Sequence, residues 1–202
     1  PVDIEQDRLL PMATRKSVTG TGLKWAGEYL VNPWDDDGLV PLARYPKLEK
    51  YLRSSERVME RHVAKANPTK WHRTIDRVID GLAGQPKILI PDMRAQLQPY
   101  LDEQGLYPHH NFYWLTGDGW DLRVLGGLLL SDVAQSFIEA YCVRMRGGTL
   151  RLQAQYLRMI RVPMPETLSE DVKARLSNAF ELRDRAEAST AAREAYGLGS
   201  PE

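Results

Sequence analysis

The residues that point most directly to chemistry are five arginines between residues 144 and 165. They are Arg144, Arg146, Arg151, Arg158 and Arg161. The segment has no acidic residue, is interrupted by Gly147 and Gly148, and ends in Pro-Met-Pro. Cations beside a flexible turn suit an anionic polymer, and a guanidinium can hold a phosphate or a guanine edge through two hydrogen bonds. This pattern indicates a nucleic-acid contact, but arginines on an ordinary solvated surface would give the same pattern.

The formal net charge is zero, because 27 basic residues balance 27 acidic ones, yet the charges are partitioned along the chain. Residues 41–99 carry 12 Lys and Arg against 6 Asp and Glu, and residues 140–165 carry only basic charges. The intervening residues 100–139 are acidic. For nucleic-acid binding, the distribution of charge matters more than the total. We expect the two basic blocks to merge on one continuous face, with Lys70 and Arg151 on the same side.

Length and composition favour one domain with a small appendage, and 43% hydrophobic residues suffice for a core. The single cysteine, Cys142, excludes an internal disulfide and is expected to be a buried, reduced thiol. The sequence has neither an apolar run long enough to span a membrane nor the apolar core of a signal peptide. We therefore predict a cytoplasmic protein without a membrane partner. Because the chain starts without Met, we also expect it to be part of something longer.

Hydrophobic periodicity predicts an α+β fold, with small mixed sheets packed against helices and a long C-terminal helix. Residues 1–165 would form a recognition domain, and residues 166–202 the C-terminal helix and tail. The helices are expected over residues 48–64, 71–82, 121–143 and 168–196, with Asp121 as an N-cap. The strands are expected over residues 28–31, 87–90, 111–115, 150–152 and 160–162.

No catalytic, cofactor-binding or metal site is predicted from these residue types. The pair His109 and His110 lacks a further ligand at metal spacing, and the acidic run at residues 35–37 is typical of a solvated loop. The tripeptide at residues 32–34, Asn-Pro-Trp, lacks the second proline of the Asn-Pro-Pro-aromatic motif of amino-methyltransferases and is interpreted as a turn. No nucleophile is paired with a base.

A second candidate contact is Lys70-Trp71-His72-Arg73, in which an aromatic residue lies among cationic and donor side chains. This arrangement fits a contact point for phosphates and bases. The alternative is that Trp71 anchors the start of a helix to the core, with Lys70 and Arg73 as its solvated flanks.

Several blocks, taken in order, resemble the C-terminal target-recognition region of N6-adenine DNA methyltransferases. This region is the TaqI-like specificity domain of modification methylases and fused restriction–modification enzymes. The blocks are Leu9-Leu10-Pro11, Trp25 with Tyr29-Leu30, the run from Tyr45 to Leu52 with Glu60-Arg61, Trp71 with Ile75-Asp76, the run from Pro86 to Asp92, the run from Tyr107 to Asn111, Asp121-Leu122 with the run from Leu128 to Ser131, and Arg146-Gly147-Gly148-Thr149-Leu150-Arg151 with the closing Val162-Pro163-Met164-Pro165. Together they cover about residues 8–165.

The resemblance implies a mixed α/β module that docks on double-stranded DNA. A separate, N-terminal methyltransferase domain of the same parent protein would hold S-adenosylmethionine and flip the adenine. That domain is not in this sequence, so no catalytic residue is carried over. The isolated chain is expected neither to bind S-adenosylmethionine nor to methylate DNA.

The sequence therefore predicts a non-catalytic module for sequence-specific DNA recognition, with weak, salt-dependent affinity that depends mostly on residues 146–151. The predicted DNA contacts are Lys70, Trp71, Arg73, Lys87, Arg146, Gly147, Gly148 and Arg151. Two alternatives stay open at this point. One is a protein-interaction module that pairs through its C-terminal helix, and the other is a small enzyme whose site the sequence does not reveal.

Overall fold

The computed structural model describes residues 2–20 and 22–199. Pro1, the first residue of the predicted recognition domain, lies outside the described residues. The same holds for residues 200–202, the end of the predicted C-terminal helix and tail. The strands are β1 (Leu9–Ala13), β2 (Tyr29–Val31), β3 (Trp34–Asp35), β4 (Gly38–Leu39), β5 (Lys87–Pro91), β6 (Met93–Arg94), β7 (Tyr100–Asp102), β8 (Tyr107–Pro108), β9 (Phe112–Leu115), β10 (Val143–Arg144) and β11 (Leu150–Arg151). The helices are α1 (Pro46–Arg53), α2 (Glu56–Met59), α3 (His62–Ala66), α4 (Leu122–Leu130), α5 (Asp132–Tyr141), α6 (Ala154–Leu157), α7 (Glu170–Leu182) and α8 (Arg185–Ala195).

The strands form small separate sheets, so the predicted α+β class is confirmed. In the most buried sheet, β5 lies between β7 and β9 and runs antiparallel to both. A second sheet has the order β2-β1-β8, with β8 parallel to β1. A third sheet has the strand order β10-β11-β6, and β3 and β4 form a two-stranded sheet. Every residue of β5 is buried, including Lys87 at its start. The apolar run that follows, from Ile88 to Pro91, is typical of a central strand that is covered on both faces.

The predicted helix over residues 48–64 is wrong in its continuity, because the chain forms α1, α2 and α3 in its place. Ser54 Oγ donates to the carbonyl of Tyr51, and Ser55 takes an extended conformation before α2. Serine side chains compete for helical carbonyls in this way, which ends α1. Arg61 then adopts a second non-helical conformation before α3.

The predicted helix over residues 71–82 is also wrong, since this segment is a series of turns. Its apolar spacing does not define one buried face, because Val78 is buried whereas Ile75 is 78% exposed. Polar side chains instead attach the segment to the β3–β4 hairpin. Trp34 Nε1 donates to Thr74 Oγ1 at 2.7 Å, and Arg77 donates to the carbonyls of Asp35 and Asp36.

The predicted helix over residues 121–143 is two helices separated by Ser131. This residue is extended, and its Oγ donates to the carbonyl of Leu128 while accepting from the amide of Ala134. One serine therefore ends α4 and caps α5. The predicted cap at Asp121 is confirmed, because its carboxylate accepts from the amide of Arg123 at 2.7 Å.

The long C-terminal helix is likewise two helices, α7 and α8. Arg183 has a left-handed backbone conformation with φ 59°, and Asp184 caps α8 by accepting from two of its first amides. Both helices pack on α4 through one cluster of apolar side chains. Its buried members are Val124, Leu128, Leu168, Val172, Leu176, Ala191 and Ala192. A domain boundary at residue 165 stays a prediction. Residues 160–162, predicted as a strand, are irregular.

None of the helices within residues 2–20 and 22–199 has the length and apolar character needed to cross a membrane.

Two glycines in the middle of α4 allow α7 to approach closely. A Cβ on Gly127 would overlap the carbonyl oxygen of Leu176, and one on Gly126 would lie 2.6 Å from the ring of Phe180. Glycine is otherwise unfavourable inside a helix. Its presence here is explained by the backbone contact with α7.

We expect Gly127→Ala to lower the free energy of unfolding by about 1–3 kcal/mol, because the helix backbone of α7 must move. Chemical denaturation monitored by circular dichroism measures the change. The control is Gly20→Ala, whose methyl group would meet open space. Equal stability of the Gly127→Ala variant and the unsubstituted protein would contradict the close approach.

Candidate nucleic-acid interface

The glycine-interrupted arginine segment forms a hairpin between β10 and β11. The amide of Met145 donates to the carbonyl of Thr149 at 2.7 Å, and that of Gly148 to the carbonyl of Met145 at 3.1 Å. Gly147 and Gly148 have φ values of 90° and 81°, which other residues rarely adopt. Both glycines face open space. The sequence Gly-Gly is therefore explained by the geometry of the turn.

The arginines of this region are exposed, and most of them lack an acidic partner among the described residues. Arg146 lies in the hairpin turn, Arg151 ends β11, and Arg158 follows α6. None of these three takes part in an ion pair within residues 2–20 and 22–199. Arg144 differs, since its Nη2 lies 3.8 Å from Glu139 Oε2. The hairpin and the segment after it thus present cations whose charge the described protein does not neutralise.

The segment from Lys70 to Arg73 is divided between surface and core. Lys70 is exposed, and Arg73 is half-buried with its Nε unpartnered among the described residues. Trp71 is only 7% exposed and packs with Leu48 and Leu52, with the Arg53 guanidinium 4.7 Å from its ring centre. Trp71 is therefore a core anchor, which corrects the prediction of a DNA contact by its ring.

Lys87 is the second predicted contact that the structure places in the interior. Its side chain is fully buried at the start of β5, and its Nζ lies 3.0 Å from Asp102 Oδ2 on β7. The same Nζ donates to the carbonyl of Gln85 at 2.7 Å. A fully buried ammonium that is already paired cannot contact DNA in this conformation. Sequence reasoning missed this because its partner, Asp102, is fifteen residues away.

We expect Lys87→Met to lower the free energy of unfolding by about 3–5 kcal/mol, because it leaves the Asp102 carboxylate buried and uncompensated. The double variant Lys87→Met with Asp102→Asn removes both charges and keeps an acceptor oxygen for one of the two neighbouring amides. It should be more stable than the single variant when both are measured by denaturation. Lys70→Met, at an exposed lysine, is the control. A single variant as stable as the double one would contradict the role of the ion pair.

A groove with a volume of about 810 Å³ lies between several parts of the chain. Residues 74–79 line one part, and the ends of β8 and β9 with the turn between them line another. Arg61 and Ala154 also contribute. The amide of Ile79 donates to Tyr107 Oη at 3.2 Å, which attaches the 74–79 segment to β8.

A smaller aromatic pocket of about 370 Å³ adjoins this groove and shares Tyr113, Trp114 and Ala154 with it. Leu157 and Arg158 complete its lining on the side of α6. Trp114 is 40% exposed and offers an open aromatic face. The combined surface therefore extends from Arg61, in the first basic block, to Arg158, in the second. The more specific placement of Lys70 and Arg151 on this surface stays a prediction.

The sequence did not identify the aromatic residues of this surface. Phe112 and Trp114 are alternate residues of β9 and share one face of the strand, yet Phe112 is buried and Trp114 is 40% exposed. Alternation along the strand therefore gave no signal for the exposed ring. Arg158 was named among the five arginines and Arg61 among the blocks of the resemblance, but neither was predicted as a DNA contact. Across residues 2–20 and 22–199, no group of three or more His, Cys, Asp or Glu residues could hold a metal ion.

The geometry can be set beside known proteins. The family model described as the TaqI-like C-terminal specificity domain matches residues 44–162. The chain belongs to this family. The match to the TaqI-like specificity domain covers both basic blocks, from just before α1 to just after α6, and confirms the resemblance that the ordered sequence blocks indicated.

Longer proteins share this TaqI-like specificity domain along the whole chain. Type II methyltransferase M.XhoI of Xanthomonas vasicola is 42% identical over 203 residues, and M.PaeR7I of Pseudomonas aeruginosa is also 42% identical. M.BstVI of Geobacillus stearothermophilus is 40% identical. Each alignment covers 100% of this chain, but the chain spans only 35–37% of the length of these relatives.

A solved structure shares the fold of this TaqI-like specificity domain. This structure is of the type IIL restriction–modification enzyme MmeI in complex with DNA. It matches the present chain with a TM-score of 0.58 and 11% sequence identity. The match covers 86% of this chain and 26% of that one. At this identity the likeness concerns the fold alone.

Proposed function

We propose that this chain is the DNA sequence-recognition module of a type II DNA methyltransferase that acts on adenine N6. One observation carries the proposal: the specificity-domain family covers a surface on which Arg61, from the first basic block, lines the groove and Arg158, from the second, lines the adjoining pocket. Its partner is double-stranded DNA. Exposed cations without internal partners are suited to phosphate contacts, which set the register of a protein on the duplex.

The chemistry of methyl transfer belongs, in this proposal, to a separate methyltransferase domain of the same parent chain. The named relatives are methyltransferases about three times as long as this chain, which leaves room for such a domain in them. S-adenosylmethionine would be bound there, and the present residues would orient the DNA toward it. A cytoplasmic location follows from the same proposal.

The DNA contacts proposed here are those predicted side chains that the structure leaves accessible. Lys70, Arg146 and Arg151 are exposed, and Arg73 is half-buried. Arg158 joins them because it lines the aromatic pocket next to the groove. Lys87 and Trp71 are excluded by their burial. Gly147 and Gly148 serve the turn that presents Arg146.

We expect the chain to bind duplex DNA with an affinity that falls steeply with salt, near the non-specific range of about 10⁻⁴–10⁻⁶ M. Arg146→Ala, Arg151→Ala and Arg158→Ala should each lower the slope of log affinity against log salt by about 1, if each removes one phosphate contact. Fluorescence anisotropy with a labelled duplex at several salt concentrations measures both quantities.

The matched control is Arg123→Ala, because Arg123 is already paired with Glu103 and Glu181 at 2.6 and 2.7 Å. Its removal should leave the salt slope unchanged. If the unsubstituted chain showed no salt-dependent binding, or if Arg123→Ala weakened binding as much as the other variants did, the proposed surface would be wrong.

A further inference from the structure

The turn between β8 and β9 carries a polar cluster in the groove that the charge analysis does not account for. The backbone of this turn is fixed at both ends: the amide of His109 donates to the carbonyl of Ala13, and the amide of Phe112 donates to the carbonyl of His109. The imidazole rings of His109 and His110 lie 3.9 Å apart between centres, with their planes inclined by 42°. Both histidines line the groove.

The side chain of Asn111 connects this histidine pair to Arg15. With its oxygen toward the guanidinium, Asn111 accepts from Arg15 Nε and Nη2 at 3.2 Å each. Its amide nitrogen then donates to His109 Nδ1 at 2.9 Å and to His110 Nε2 at 2.7 Å. The guanidinium can only donate, so it determines which way the amide is turned.

This orientation fixes the tautomer of both imidazoles. A ring nitrogen that accepts from an amide carries no proton, so a neutral ring carries its proton on the other nitrogen. His109 therefore has its proton on Nε2, and His110 has its proton on Nδ1. Within the part of the chain that the structure describes, neither of these N–H groups donates to another protein group. Each is a donor left available to a ligand.

The surroundings favour the neutral form of His109. Burial, and then the neighbouring His110, lower the pKa of His109 below its ordinary value of 6.5. At neutral pH His109 is therefore a neutral hydrogen-bonding group, unlike the arginines around it.

The position of Arg15 is itself determined by a capped turn. Thr14 accepts from the amide of Lys16 and donates to Glu28 Oε2 at 2.6 Å, while Ser17 Oγ accepts from the amide of Thr14. Glu28 also pairs with Lys16. The cluster is thus held in place from two strands of the β2-β1-β8 sheet, as precise recognition requires.

Two adjacent donors match one base edge better than the others. In the major groove, guanine presents two acceptors, N7 and O6, whereas adenine presents one acceptor and one donor, and cytosine presents a donor. We propose, on the basis of the proposed DNA-binding function, that His109 and His110 read a guanine edge, with Asn111 and Arg15 as positioning residues. The groove that holds the pair would then read sequence, while the exposed arginines bind phosphate.

The test is selection of bound duplexes from a random-sequence library by the 202-residue chain. The unsubstituted chain should enrich a sequence that contains guanine at a defined position. His110→Ala should reduce the preference for guanine at that position about tenfold, the order of a good base contact, with the salt slope unchanged. Asn111→Asp replaces the donor by a carboxylate, changes the protonation of both rings and should reduce the same preference.

The control is His62→Ala, at an exposed histidine on α3 outside the groove lining, which should leave the selected sequence intact. Circular dichroism verifies that each variant is folded. If the unsubstituted chain enriched no sequence, the proposed function would fail and the inference with it. If it enriched a sequence that the folded His110→Ala and Asn111→Asp variants also selected, only the inference would be overturned. If these variants lost affinity equally for all sequences and showed a smaller salt slope, the histidine pair would be a phosphate contact, and the inference would also be overturned.

Discussion

The buried ion pair of Lys87 and Asp102 is the constraint on which the part of the fold that carries the groove depends. Asp102 does more than compensate the lysine, because its carboxylate also accepts from the amides of Gln104 and Leu106. The charge inside β5 therefore fixes the turn after β7, and this turn leads directly into β8 and the histidine pair. A buried pair is costly to desolvate, and such pairs persist where all their hydrogen bonds are satisfied. Here these bonds also fix the turn that leads into β8, and Tyr107 and Pro108 of β8 line the groove.

Local sequence signals predicted those elements whose formation depends on local residues. The apolar run of β5 and the cap at Asp121 are of this kind, and both are confirmed. Helix continuity was not predictable from apolar spacing, because Ser131 uses one hydroxyl to end a helix and to begin the next. The residues 71–82 have helical spacing as well, yet tertiary bonds to the β3–β4 hairpin determine their conformation.

The candidate site also has features that the local sequence predicts and features that depend on the folded chain. Charge patterning located the arginine hairpin, since exposed cations without partners follow from a segment that lacks acidic residues. It could not separate Lys87 from the exposed lysines, because burial depends on a partner in another strand. The groove was beyond sequence reasoning, as it combines Arg61, the turn after β8 and Ala154, which meet only in the folded chain.

The C-terminal helices bear on the choice between DNA recognition and pairing with a partner protein. Pairing through a C-terminal helix requires a free apolar stripe, but Val172, Leu176 and Phe180 of α7 are buried within the chain. The glycines of α4 bring the α7 backbone close enough for this packing. The C-terminal region therefore completes the core behind the sheets and leaves the arginine-flanked groove as the surface suited to a polymer. On that surface, charge without internal partners supplies affinity that any sequence can satisfy, whereas discrimination between sequences requires hydrogen-bonding groups that are held in a fixed orientation toward a base edge.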